Sequence, residues 1–199
     1  MPNWTQNSLT LEGTAEDLQH IYNNEFNFHK LHPCPFINGE NYDEGWYEWC
    51  CKHWGTKWSP DEPDINYSEG DTSLSAIFQT AWTTPHALFA YLTVQYPSLT
   101  ITCEWEDENY ETVGITTYSH GEMDCQQIDP MDYTKEALEQ FAETHDWFSY
   151  DDYCDYYDES DNINDDESDA SDEEDDEEEG KKDQVIIKYY NVSYVDLIE

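Results

Sequence analysis

The chain has 199 residues, 37% of them apolar and 16% aromatic, and its forty-seven Asp and Glu face seven Lys and no Arg, a formal charge of −40. That sign excludes nucleic acid and anionic membrane as direct partners, because both require Lys or Arg to replace counterions or meet acidic headgroups. A basic protein surface or multivalent metal ions are the partners the charge fits.

The acidity is spread along the chain. Residues 1–149 hold twenty-six acids and four lysines, residues 150–180 eighteen acids and no base, and residues 181–199 three of each. Eight Trp and sixteen Tyr give large buried area per residue, so a modest number of apolar residues can still build a core. The N-terminus has neither a basic nor an apolar leader pattern, and no apolar run reaches the roughly 20 residues of a membrane span. An intracellular, cytoplasmic protein with reduced cysteines is expected.

In chain order, "NSLTLEG" alternates Leu9 and Leu11 as a first strand. "TAEDLQHIYNN" follows as a helix, with Thr14 as its cap and Leu18, Ile21 and Tyr22 on one face. The stretch to Asp43 reads as loop, and "DEGWYEWCCKHWG" as a short aromatic helix stopped by Gly55. "TKWSPDEPDINYS" is a poor edge strand because of Pro60 and Pro63, and "SLSAIFQTAW" a better strand. "TTPHALFAYLTVQYP" is a helix predicted to be capped by Thr84. "SLTITCEWED" alternates most clearly, with Leu99, Ile101, Cys103 and Trp105 on one face, and "ETVGITTYSHG" pairs with it as a hairpin. "YTKEALEQFAET" is a third amphipathic helix. The ring-rich "WFSYDDYCDYYD" and the final "QVIIKYYNVSYVDLI" both read as strands, pairing together or adding to the sheet edge.

This order predicts an α+β fold, a ferredoxin-like split β-α-β sandwich with an antiparallel sheet and helices on one face, extended by a hairpin strand and C-terminal additions. Residues 1–149 form the globular domain, with a helical insertion near 43–54. Residues 150–182 are an acidic, largely disordered loop, and 183–199 a strand that packs back.

Several stretches together resemble the YubB-like family of plasmid, phage and other mobile-element proteins. They are "MPNWTQNSLTLEG", "WGTKW" (Trp54–Trp58), "FQTAWTTP" (Phe78–Pro85) and "YPSLTITCEWEDE" (Tyr96–Glu108), covering roughly residues 1–120. The resemblance implies a ferredoxin-like domain and a viral or mobile-element origin. It implies no activity.

Candidate sites follow from residue type. His29, His32 and Cys34, with Cys50, Cys51 and His53, offer zinc-type ligands, but no C-x2-C knuckle is present and packing accounts for them. Glu104–Glu108 ("EWEDE") offers clustered carboxylates for acid–base work or a metal, against a solvated turn. No phosphate loop, nucleophile elbow or H-E-x-x-H occurs, so no cofactor and no catalytic residue is expected. Lys57 between indoles suggests a cation–π recognition cluster of Trp4, Trp54, Lys57, Trp58 and Trp82, although such rings first of all build core. The acidic interaction segment is Asp165, Asp166, Glu167, Asp172, Glu173, Glu174, Asp175, Asp176, Glu177, Glu178 and Glu179. The reading is a non-enzymatic accessory protein that binds a basic protein, a host nucleic-acid-binding or defence protein among the targets. The alternative is a metal-dependent protein using the Glu104–Glu108 acids or the His29/His32/Cys34 loop.

Overall fold

A computed structural model describes residues 3–39, 41–154 and 181–198. The first strand, β1 (Trp4–Glu12), buries Thr5, Asn7, Leu9 and Leu11 on one face and presents its even residues on the other. Thr14 then caps α1 (Ala15–Asn23): its hydroxyl accepts from the Asp17 amide and donates to the Asp17 carboxylate. The same carboxylate accepts from Ser98, which fixes the helix start against the sheet. Leu18 and Ile21 face the core, whereas Tyr22 lies exposed over Tyr67.

The stretch expected to be loop contains a one-turn helix, α2 (Phe28–Leu31), and a minimal hairpin of β2 (Ile37–Asn38) with β3 (Asn41–Tyr42). The Asn27 side chain accepts from the Lys30 amide and Phe28 anchors the turn in the core, a local signal hidden by the flanking prolines. Helix α3 (Trp46–His53) ends as expected at Gly55, which has φ +87°.

Edge strand β4 (Asp64–Asn66) and strand β5 (Ser73–Ala81) lead into α4 (His86–Gln95). Pro85, not Thr84, takes the cap position, and the Thr84 hydroxyl is buried without a hydrogen-bond partner. This helix is apolar nearly all round because it lies between the sheet and further helices. Strand β6 (Thr100–Asp107) pairs with β7 (Val113–Ser119), which turns through His120–Gly121 into β8 (Glu122–Ile128). Both turn residues have positive φ, +54° and +82°, as a two-residue hairpin turn of the primed type requires.

Helix α5 (Lys135–Ala142), capped by Thr134, buries Ala137, Leu138 and Phe141. The stretch around Tyr150, read from its rings as a strand, is instead helical over its described part (α6, 150–154). Ser149 accepts from the Asp152 amide at its start, and this cap outweighs the β preference of the rings. Strand β9 (Lys188–Ser193) pairs antiparallel with β8, and α7 (Tyr194–Ile198) packs against α4. Lys182 anchors the returning chain through a 3.0 Å ion pair with Asp132, and Lys188 pairs with Asp129.

The result is one seven-stranded antiparallel sheet, ordered β4-β5-β1-β6-β7-β8-β9. Its first four strands, with α1 and α4 as crossovers, have the ferredoxin-like arrangement, and β7–β9 widen it beyond β6. The main core lies between the sheet and α1–α4. A second apolar cluster, including Val113, Ile128, Phe141 and Phe148, covers one end of the opposite face. Among the described residues, no helix is long and apolar enough to cross a membrane.

His86 opens α4, and its Nδ1 lies 2.6 Å from the Tyr118 hydroxyl. Burial pushes the imidazole down to about 4, and pushes the Tyr118 phenol well up, so the phenol donates to a neutral ring. A histidine held neutral in the fold supports stability fully above its ordinary value near 6.5 and loses that support as pH falls toward 4. Urea unfolding of wild type and His86→Gln is expected to show wild type losing roughly 3 kcal/mol relative to the variant between pH 7.5 and 4. Parallel pH profiles would show that His86 titrates normally.

Candidate functional site

Strand alternation separates the "EWEDE" acids into different jobs. Glu104 and Glu106 project from β6 to the face opposite the helices, while Trp105 packs against the main core and donates to Thr116 at 3.0 Å. Asp107 is occupied by its own turn, accepting from the amides of Asn109, Glu111 and Thr112 at 2.9–3.1 Å. The Glu108 carboxylate accepts from the Trp4 amide at 2.8 Å. Two of the acids therefore hold local structure, and Glu104 and Glu106 project from the sheet.

Those two line a cleft of about 210 Å³ between β1, β6 and the segment before α6. Gln6 and Ser8 form its floor with Glu104 and Glu106. Tyr110, Trp147 and Phe148 supply rings, and Asp146 and Asp152 approach from the far wall. Burial raises the Glu104 carboxyl above its ordinary value. Burial raises Glu106 also, with Asp152 and Asp107 adding repulsion and a Tyr110 hydrogen bond opposing it. Carboxylates crowded in this way are relieved by a cation or a proton. Aromatic walls with acidic corners suit an ammonium or guanidinium group.

The lysine cluster is built by the chain reversal after α3. A Cβ on Gly55 would lie 3.2 Å from the His86 amide nitrogen, so glycine allows the close crossing. Buried Thr56 then donates to the Ala81 carbonyl, which pins the next two residues beside the end of β5. Lys57 Nζ lies 4.4 Å from the Trp58 ring centre, 5.5 Å from Trp82 and 5.9 Å from Tyr47. Trp4 packs on Trp58 with centroids 6.5 Å apart. Tyr47 and Trp82 remain 45% and 44% exposed, which keeps this cluster at the surface.

Four of the five predicted cluster members thus come together, and Tyr47 joins them. Trp54 does not: it is 2% exposed in the core, its indole donating to the His32 carbonyl, because Gly55 reverses the chain directly after it. Helical spacing along α3 would have pointed to Tyr47 only with the position of Trp82 known.

The His and Cys candidates fall into pairs, with the His32 and His53 rings 5.8 Å apart and Cys34 beside Cys50, and each makes packing contacts of its own. His29 Nδ1 accepts from the Cys34 amide, His32 stacks on Tyr91 at 3.8 Å, and His53 stacks on Trp49 at 4.4 Å. Burial lowers His32 to about 4, with His53 adding to the effect. Among the described residues, no three His, Cys, Asp or Glu side chains converge as metal ligands. Asp165 through Glu179 lie outside the described residues.

Residues 53–148 match the family described as the ferredoxin-like domain in Api92-like protein. The matched stretch is similar to that domain, in keeping with the ferredoxin-like arrangement of the sheet. It runs from the end of α3 to Phe148 and so contains β4–β8, α4 and α5, with both Glu104 and Glu106; β1 and α1 precede it. No curated protein and no solved structure matches the chain.

Proposed function

We propose that this protein is a non-enzymatic binding module, an accessory protein of a virus or mobile element, that engages a basic protein through its acidic body and acidic run. The observation that carries the reading is the small cationic counterweight, seven Lys, to forty-seven acids. There is no Arg, and of the seven Lys three are held in ion pairs and Lys57 lies among rings. A field of this sign steers cationic partners and repels polyanions. The resemblance to the YubB-like family supports the mobile-element origin, and the charge supports a target such as a host nucleic-acid-binding or defence protein. The cytoplasm of the host cell is where such a partner would be met.

The test is titration of the intact chain against a labelled arginine-rich peptide and against labelled duplex DNA. The peptide alone is expected to bind. Binding of the DNA instead, or of neither, overturns the reading.

A further inference from the structure

Among the described residues, the sheet face opposite α1–α4 is covered at one end only, by α5 and the segment around Phe148. Across the rest of it, strand alternation aligns Glu12, Asp64, Glu104, Glu106, Glu122 and Asp124 on one side. Among the described residues no lysine projects from that side of β1 and β4–β8. The face is not uniformly polar: Ile77 stands 49% exposed in its midst.

Two clefts open onto this face and share Gln6. One is the cleft of Glu104, Glu106 and Trp147. The other, about 420 Å³, is lined by Trp4, Trp58, Ile77 and the acids Asp61, Glu62 and Asp64. The strands carrying them, β5 and β6, flank β1, so the clefts are separated by roughly two strand spacings, about 10 Å. That distance corresponds to about three residues of extended chain.

We propose that this open face seats an extended, Lys- or Arg-bearing segment of the partner protein. It places one cation in the Glu104/Glu106 cleft, a second about three residues away beside Asp61 and Asp64, and an apolar side chain on Ile77 and Trp4. The assignment rests on the binding reading above and adds where on the molecule binding occurs. Charge complementarity selects the occupant. A nucleic acid has the wrong sign, and a second copy of this chain would set the same six carboxylates against themselves. Aromatic rings beside the acids favour guanidinium and ammonium groups over small hydrated cations.

The experiment uses the intact chain and a labelled extended peptide with two arginines three residues apart, followed by fluorescence anisotropy at low salt. Two triple variants carry the same charge change. Asp64→Asn/Glu104→Gln/Glu106→Gln neutralises the face; Glu16→Gln/Glu44→Gln/Glu48→Gln neutralises exposed acids on the helical side. All six positions are strand or surface residues of the body, and circular dichroism confirms that each variant is folded. The face triple is expected to weaken binding by about tenfold or more, and the control triple by less than about threefold. Equal weakening by both overturns the face assignment while leaving the general reading intact. No binding by the wild-type chain overturns the general reading itself. Self-association of the intact chain that the face triple abolishes would assign the face to a second copy instead.

Discussion

Raising salt from 50 to 500 mM is expected to weaken binding of the intact chain to an arginine-rich peptide by about a hundredfold. Attraction between exposed charges acts over the Debye length, about 10 Å at 0.1 M and about 3 Å at 1 M. The charge is carried by many groups, eighteen acids in residues 150–180 and the rest distributed over the remaining chain, so screening acts on a sum of weak terms together. An interface held by the aromatic cluster alone would respond little, because cation–π and apolar contacts are short-ranged. Anisotropy titrations across the salt series separate the two: a change below about threefold would assign affinity to the rings.

The second large effect concerns Gly114. On β7 it sits directly opposite Trp105, whose ring lies across the glycine as its indole reaches Thr116. A Cβ there would come 2.6 Å from Trp105 Cζ2 and 2.6 Å from the Gln126 carbonyl oxygen of β8. One of those contacts is backbone, so displacing the indole alone is not enough and β7 and β8 must also part. Gly114→Ala is expected to cost about 3 kcal/mol, the upper end for overpacking, and to lower the melting temperature by about 10 °C. Gly70→Ala is the control: Gly70 has φ +93° but nothing within 4 Å of its missing Cβ, so only conformational strain is added, about 1 kcal/mol. Similar losses in thermal unfolding of the two variants would remove the crowding argument. The effect matters to the candidate site because Trp105 lies between Glu104 and Glu106 and fixes the side on which both project.

Much of the fold is legible because its periods are clean. β1, β5 and β6 alternate over eight or nine residues, and α1 and α5 carry both a cap and an apolar face. β8 was hidden because "EMDCQQI" alternates only through Met123 and Cys125 and has no β-branched residue before Ile128. The signal that reveals it is the His120–Gly121 turn. The rings around Tyr150 suggested a strand, yet Ser149 starts a helix there.

The site divides in the same way. That Glu104 and Glu106 share a face follows from alternation, so their pairing is contained in the sequence. Their neighbours Asp146, Trp147 and Asp152 lie some forty residues on, and only the packing of Val113 and Phe148 in one cluster brings them over the cleft. For the lysine cluster, Trp54 and Trp58 are indistinguishable by spacing, and the left-handed Gly55 between them decides which is core and which is surface.

The central claim, that the molecule's field selects a positive partner, is tested most directly by comparing two ligands on the same intact protein at 50 mM salt. One is an arginine-rich peptide and the other a duplex DNA carrying the same number of charges of opposite sign. The account predicts saturable binding of the peptide and none of the duplex. Saturable binding of the duplex, or equal affinity for both, would contradict it.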